Sequence, residues 1–151
     1  MIEGALSGNQ VVDLRVTLYY GSYHTVDSSD MAFKIAGSIA FKNGFLECNP
    51  VLLEPIYDLE IMVPDANTGD VMGDMSSRRG KIMGMEPAGK YQRIKAQAPL
   101  AELFKYSTSL RSMTGGRGRH SQKFSHYEPV PKEYAEKVMA AYQATRKGGE
   151  E

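Results

Sequence analysis

Ile56-Tyr57-Asp58-Leu59-Glu60-Ile61-Met62-Val63 alternates apolar and polar side chains, with Tyr57, Leu59, Ile61 and Val63 on one face. A period of two over this length is the pattern of a strand with one buried side. Pro64-Asp65 stops it, and a helical pattern covers Thr68–Arg79, closed by Gly80. Lys81–Met85 reads as a second strand, and Glu86-Pro87-Ala88-Gly89 as the turn of a hairpin. Tyr91–Ala98 is the third strand, setting Ile94, Ala96 and Ala98 against Arg93, Lys95 and Gln97. Pro99 opens a helix over Leu100–Met113, since a missing amide proton costs nothing in the first turn. Thr114-Gly115-Gly116-Arg117-Gly118 ends that helix with a left-handed cap, and Arg119–His126 fits a fourth strand. Two consecutive β-α-β units make the fold class α+β: a ferredoxin-like plait, with a four-stranded antiparallel sheet and both helices on one face.

The flanks follow other rules. Upstream, Val12, Leu14, Val16 and Leu18 alternate with polar residues, predicting a strand over Val11–Tyr19 that Gly21-Ser22 breaks. Asp27 or Ser28 is expected to cap a helix running to about Leu46, with Met31, Ile35 and Ile39 on one stripe, and Ser28, Ser29 and Asp30 read as capping rather than catalytic residues. Small residues Ala36, Gly37 and Ala40 would let that helix approach a sheet closely. Asn49-Pro50 ends the unit, and Val51-Leu52-Leu53-Glu54-Pro55 reads as a packed linker. One strand and one helix cannot close a sheet, so either this segment leans on the plait or, the favoured expectation, its partners lie upstream of Met1, and its unpaired edge invites dimerisation or strand exchange. Downstream of Pro129-Val130-Pro131, an amphipathic helix covers Lys132–Arg146, followed by a tail expected to be disordered from Gly148 to Glu151.

Charge is distributed as unevenly as structure. The 151 residues carry 18 Lys+Arg and 18 Asp+Glu, a formal net charge of zero. Between Ser76 and Tyr127, however, eleven Lys and Arg face only Glu86 and Glu102, a net +9 that leaves −9 for the remainder. A concentrated positive region attracts phosphate by Coulomb attraction and counterion release. No run approaches about 18 consecutive apolar residues, which excludes a transmembrane helix. The single Cys48 cannot form an intrachain disulfide or a cysteine-based metal site, as befits a reducing compartment.

Catalytic signatures are weak. The glycine run 114–118 follows a helix and precedes a strand, the reverse of a phosphate loop. His24, His120 and His126 lack the i,i+4 spacing of helical metal ligands. His24 as a general base would need a nucleophile and an orienting group; Ser22, Tyr23 and Asp27 are near, but nothing in the sequence marks an oxyanion site. Tyr91, Phe124 and Tyr127 suit either base stacking or packing beneath the plait helices. The residues alone describe a non-catalytic basic α+β module.

At Gly21-Ser22-Tyr23-His24-Thr25-Val26-Asp27-Ser28-Ser29-Asp30-Met31-Ala32-Phe33-Lys34-Ile35-Ala36-Gly37 the sequence closely resembles the C-terminal part of bacterial elongation factor G, the ribosomal translocase. The resemblance extends through Pro50–Ile56, Gly69–Asp74, Ser77–Gly80, Gly84–Pro87, Ala98–Phe104, Leu110–Thr114, Gly116–Gly118 and Phe124–Pro131. It implies that residues 1–50 are part of a fourth domain, a partial β-α unit of the fold named after the second domain of ribosomal protein S5. Residues 51–131 would be the ferredoxin-like fifth domain, 132–147 a helix returning to the fourth domain, and 148–151 a tail.

The resemblance further implies a cytoplasmic, ribosome-bound factor whose partners are rRNA, ribosomal proteins and the tRNA–mRNA complex. The tip loop 21–27 would present Ser22, Tyr23, His24 and Asp27 to tRNA in the decoding site. Arg78, Arg79, Arg117 and Arg119 are the candidates for rRNA phosphate contacts, each pair following a plait helix at its C-terminal end. The two pseudo-repeats are expected to bring the pairs together. GTP and magnesium belong to the GTPase domain of the parent protein, so no cofactor, metal site or GTP hydrolysis is expected of this chain. The tyrosine–histidine tip loop favours elongation factor G over the related ribosomal protection proteins. A free-standing ferredoxin-like RNA-binding or ligand-sensing module is the alternative.

Overall fold

The structure is a computed structural model and describes residue 4 and residues 6–147. It divides into two units, residues 53–129 and residues 1–52 with 130–151. The tail expected over 148–151 lies outside the described residues.

In the first unit, β1 (Leu53–Pro64) leads through a 3-10 turn (Asp65–Asn67) into α2 (Thr68–Ser77), then β2 (Lys81–Ala88). After the hairpin, β3 (Tyr91–Pro99), a second 3-10 turn (Leu100–Leu103), α3 (Tyr106–Met113) and β4 (Arg119–Pro129) repeat the sequence. The strand order is β2-β3-β1-β4 with every neighbour antiparallel, which is the ferredoxin-like plait. Alternation decided the buried face: Leu59, Ile61 and Val63 from β1, with Ile94, Ala96 and Ala98 from β3, lie beneath Val71, Met75, Tyr106 and Leu110 of the helices. The opposite face is polar, and Arg93 pairs with Glu60 at 2.8 Å and Lys95 with Glu86 at 2.6 Å across the strands. Those cross-strand pairs hold the Glu86 carboxyl below its ordinary range, chiefly through the Lys95 hydrogen bond.

Several boundaries differ from the sequence reading. β1 begins inside the expected linker because Leu53, Glu54 and Pro55 find partners in Pro129, Glu128 and Tyr127. The helix expected over Leu100–Met113 is two pieces, since Phe104 is extended and Lys105 adopts a left-handed φ of 55°. Pro99 is the last residue of β3, not the first turn of a helix. The hairpin turns at Gly89-Lys90, with Gly89 at φ 70° as a two-residue loop requires.

α2 and α3 end alike. The Gly80 amide donates to the Met75 carbonyl at 2.8 Å, and the Gly116 amide to the Arg111 carbonyl at 2.8 Å, the six-to-one bond of a Schellman cap. After α3 the left-handed position is Gly115, as expected; after α2 it is Arg79, not Gly80. Gly80 is needed for a different reason: a Cβ there would collide with the Met75 side chain and carbonyl oxygen.

The second unit contains α1 (Asp30–Glu47) and α4 (Lys132–Lys147). The helix cap is Ser29, one of the expected capping residues, whose Oγ accepts the Ala32 amide at 3.1 Å; Asp27 does not cap it. Asn49 ends the helix in the left-handed conformation at φ 51°. The strand expected over Val11–Tyr19 does not form: these residues have no ladder, and a strand is defined by hydrogen bonds to a neighbour. Val12, Leu14, Val16 and Leu18 are consequently exposed, as are Met31, Ile35 and Ile39 on α1, which buries no residue. Gly8, at φ 72°, lies against the ring of Tyr142 on α4, and the Val130 amide donates to the Leu52 carbonyl at 2.8 Å.

Two alanine substitutions separate the demands on glycine. Gly80→Ala should destabilise the plait by about 1–3 kcal/mol through overpacking against Met75. Gly73→Ala, in open space within α2, should stabilise it by roughly 0.5–1 kcal/mol. Urea denaturation of the two variants checks both signs.

Candidate nucleic-acid interface

The tip loop is a closed turn. The His24 amide donates to Ser28 Oγ at 2.8 Å, and the Ser28 amide returns to the His24 carbonyl at 3.0 Å. Within it, His24 Nδ1 accepts the Val26 amide at 3.4 Å and lies 3.4 Å from an Asp27 carboxylate oxygen. Both side chains remain open to solvent, as does Tyr23. His24 and Asp27 lie in this exposed turn, and Ser22 and Tyr23, also exposed, immediately precede it.

Arg78 and Arg79 have a different setting. Arg78 Nε donates to Asp74 at 2.8 Å, Nη1 to the Glu102 carbonyl at 2.7 Å and Nη2 to Ser109 Oγ at 3.0 Å, with the guanidinium over the Tyr106 ring. Arg79 forms a two-pronged bond to Glu54 at 2.7 and 2.8 Å, and its Nε donates to Glu102 at 3.1 Å. The hydrogen bonds to Glu54, foremost among the causes, hold the Arg79 pKa above even its ordinary value. A left-handed arginine costs roughly 1–2 kcal/mol, whereas hydrogen bonds to charged groups contribute about 1.5–3 kcal/mol each. The clamp therefore outweighs the strain. All three nitrogens of both guanidiniums serve the fold, and a phosphate would have to break that clamp to bind.

Nor do the two arginine pairs meet. Arg79 is fixed to Glu54 at the start of β1, while Arg119 pairs in register with Met62 near its end. Eight residues of strand at about 3.3 Å each put them roughly 26 Å apart. The cause is topological: β1 and β3 are antiparallel, so the helices that follow them run oppositely and end at opposite edges.

Arg117 and Arg119 are exposed. Thr114, fully buried, donates through Oγ1 to the Leu110 carbonyl and accepts the Gly118 amide, both at 2.7 Å. Gly118 is buried because a Cβ would stand 2.7 Å from Thr114 Oγ1 and 2.9 Å from Leu110 Cγ. Arg117 Nε donates to the Thr114 carbonyl at 3.2 Å, and no carboxylate among the described residues pairs with Arg111, Arg117 or Arg119. Sequence reasoning missed Arg111, which reaches this edge from the last turn of α3; its position seven residues before Gly118 carried no signal without the cap geometry.

The aromatic candidates Tyr91, Phe124 and Tyr127 are all exposed, and Phe124 clusters with Tyr127 and with Tyr57, their ring centroids 5.2 and 6.0 Å away. His126 is held by Ser125 and Glu128 on β4, and His120 stacks edge-on against Tyr106 at 5.0 Å. Among the described residues no three His, Cys, Asp or Glu side chains gather as a metal site, and no helix is long and apolar enough to cross a membrane. Cys48 is free and exposed.

The family model for domain IV of elongation factor G matches residues 1–49, and the model for the elongation factor G C-terminus matches residues 51–138. This chain belongs to the elongation factor G family. It is also similar to a Thermus thermophilus protein of known crystal structure, with 44% sequence identity and a TM-score of 0.79. That likeness covers 94% of this chain and 22% of the Thermus protein, so the chain spans about a fifth of its relative's length. The boundary between the elongation factor G models falls at Pro50, beside the start of β1, and the C-terminal model covers the plait.

Stability measurements distinguish scaffold from surface here. Glu54→Ala should cost the plait about 2–3 kcal/mol by leaving the Arg79 charge half-compensated. Arg117→Gln should change stability by no more than about 0.5 kcal/mol. Equal losses in chemical denaturation would contradict this division.

Proposed function

We propose that this chain is the ribosome-binding C-terminal portion of an elongation factor G, contributing contacts to a translocase whose GTP cycle resides in other domains. In this reading residues 1–50 belong to domain IV, 51–131 form domain V, and 132–147 return as a helix to domain IV. Supporting it is one observation above the others: the family match coincides with a plait whose Gly116–Arg119 edge carries guanidiniums without a carboxylate partner among the described residues. RNA is a polyanion, and cations that no acid neutralises attract it without sequence preference.

The exposed turn at Ser22, Tyr23, His24 and Asp27 is the proposed contact with tRNA in the decoding site. Its histidine and tyrosine suit hydrogen bonding and stacking on backbone and 2′-hydroxyl groups, which need no fixed base sequence. The role is mechanical: the turn supports tRNA in its advanced position while the parent protein supplies GTP and magnesium chemistry. Arg117 and Arg119 take the rRNA phosphate role, and Arg78 and Arg79 hold the domain together. The factor acts in the cytoplasm.

Co-sedimentation with ribosomes tests the reading. The chain should pellet with them in a salt-sensitive manner, and Arg117→Gln with Arg119→Gln should weaken binding roughly tenfold, about 1.4 kcal/mol. Salt-independent binding, or binding indifferent to those arginines, would sink the assignment. In the full-length factor, His24→Ala should slow translocation while leaving ribosome-stimulated GTP hydrolysis near normal. Loss of hydrolysis would instead contradict the tip role. The exposed apolar alternation over 11–19 also supports association of this chain with a second copy, which sedimentation velocity at increasing concentration would reveal as a dimer.

A further inference from the structure

Beneath the Arg119 edge lies an open groove of about 250 Å³ lined by Ser107, Leu110, Arg111, Gly118, Arg119 and His120. Its lining includes two arginines, a serine and a histidine, and no Asp or Glu contributes to the wall. The volume is below the range of drug-sized ligand sites and suits a compact polar group. Arg111 comes from the last turn of α3 and Arg119 from the first residue of β4, so the Thr114–Gly118 bond that closes the intervening loop fixes their separation.

We propose that this groove binds a phosphate group and that His120 takes up a proton when it does. The proposal deepens the ribosome-binding reading by naming the ligand chemistry at one site and coupling it to pH.

His120 is half-buried on the helix side of the sheet, opposite Ile61 in the β1 register, with its ring edge-on to Tyr106. Its charged neighbours are Arg111 from α3 and Arg119 beside it on β4. On the far side of Tyr106, α2 contributes Arg78 over the ring and the more distant charge of Asp74. Burial, and then the Arg111 charge, push the His120 pKa below its ordinary value. The empty groove therefore holds a neutral imidazole near pH 7. An anion between the guanidiniums reverses the second cause: it offsets Arg111 and accepts a hydrogen bond from the imidazolium. The pKa is thus higher in the bound state, and affinity must rise as pH falls through that bound-state value. It must level off once the free groove is protonated too.

Calorimetric titration of the chain with a short oligouridylate, in buffers of different ionisation heat, reads both effects. Affinity should rise as pH falls from about 8 to about 6, by at most roughly tenfold for each unit separating the bound and free pKa, with net proton uptake at the acidic end. Arg111→Gln combined with Arg119→Gln should weaken binding at both pH values and lower the salt dependence of log K by about 0.7 per lost phosphate contact. His120→Phe keeps an aromatic ring against Tyr106 and should abolish proton uptake while retaining binding at the higher pH. Parallel titration with orthophosphate identifies the source: tighter oligouridylate binding marks an RNA backbone phosphate, tighter orthophosphate binding a free phosphate, and either supports the groove. Binding indifferent to the two arginines, or proton uptake surviving in His120→Phe, overturns it. No ribosome is present in these titrations, so their failure leaves the ribosome-binding reading standing, and failure of ribosome co-sedimentation leaves the groove standing.

Discussion

β1 is hydrogen-bonded along both edges, to β3 on one side and β4 on the other, and both ladders are antiparallel. Because β3 runs against β1, the helices that leave their ends must cross the sheet in opposite directions. One plait edge consequently receives the end of α2 and the start of β1. The opposite edge receives the end of α3 and the start of β4. The same Schellman geometry closes both helices, yet the outcomes differ because of what waits at each edge. At the first, Glu54 and Glu102 meet Arg79 and make a clamp. At the second no acid is present among the lining residues, and Arg111, Arg117 and Arg119 are exposed.

The strength of the period-two signal explains why the plait was legible from residues alone. Leu59, Ile61, Val63, Ile94, Ala96 and Ala98 alternate without interruption, and a one-residue slip in either strand would turn its three outward. The departures occur where conformation depends on something other than a periodic pattern. Lys105 and Arg79 adopt left-handed backbones that their residue types do not advertise, one breaking an expected helix and the other capping one. Val11–Tyr19 shows the converse. Its alternation is as clean as that of β1, but a strand also needs a neighbour to exchange amide bonds with, and none is provided by the described residues. Pattern selects which face would be buried; pairing decides whether there is a strand at all.

The candidate site divided along the same line. The bonds that close the tip turn span at most four residues, so a local window of sequence contains them all. The arginines were only half legible, since Arg79 meets Glu54 across 25 residues and Arg78 meets the Glu102 carbonyl across 24. A local window shows the density of charge but not which charges will neutralise one another.

The net +9 of the basic stretch must therefore be discounted before it argues for a polyanionic partner. Arg78, Arg79, Arg93 and Lys95 each pair with a carboxylate, and three of those carboxylates (Asp74, Glu54 and Glu60) lie outside the stretch. What remains is smaller but better placed. Arg117 and Arg119 flank Gly118, whose lack of a side chain lets the backbone sit against Thr114 and Leu110. A Cβ at 118 would push the loop off that support and move both flanking guanidiniums with it. The placement of these exposed guanidiniums rests, in the end, on a buried hydroxyl accepting one amide and on a glycine small enough to let it.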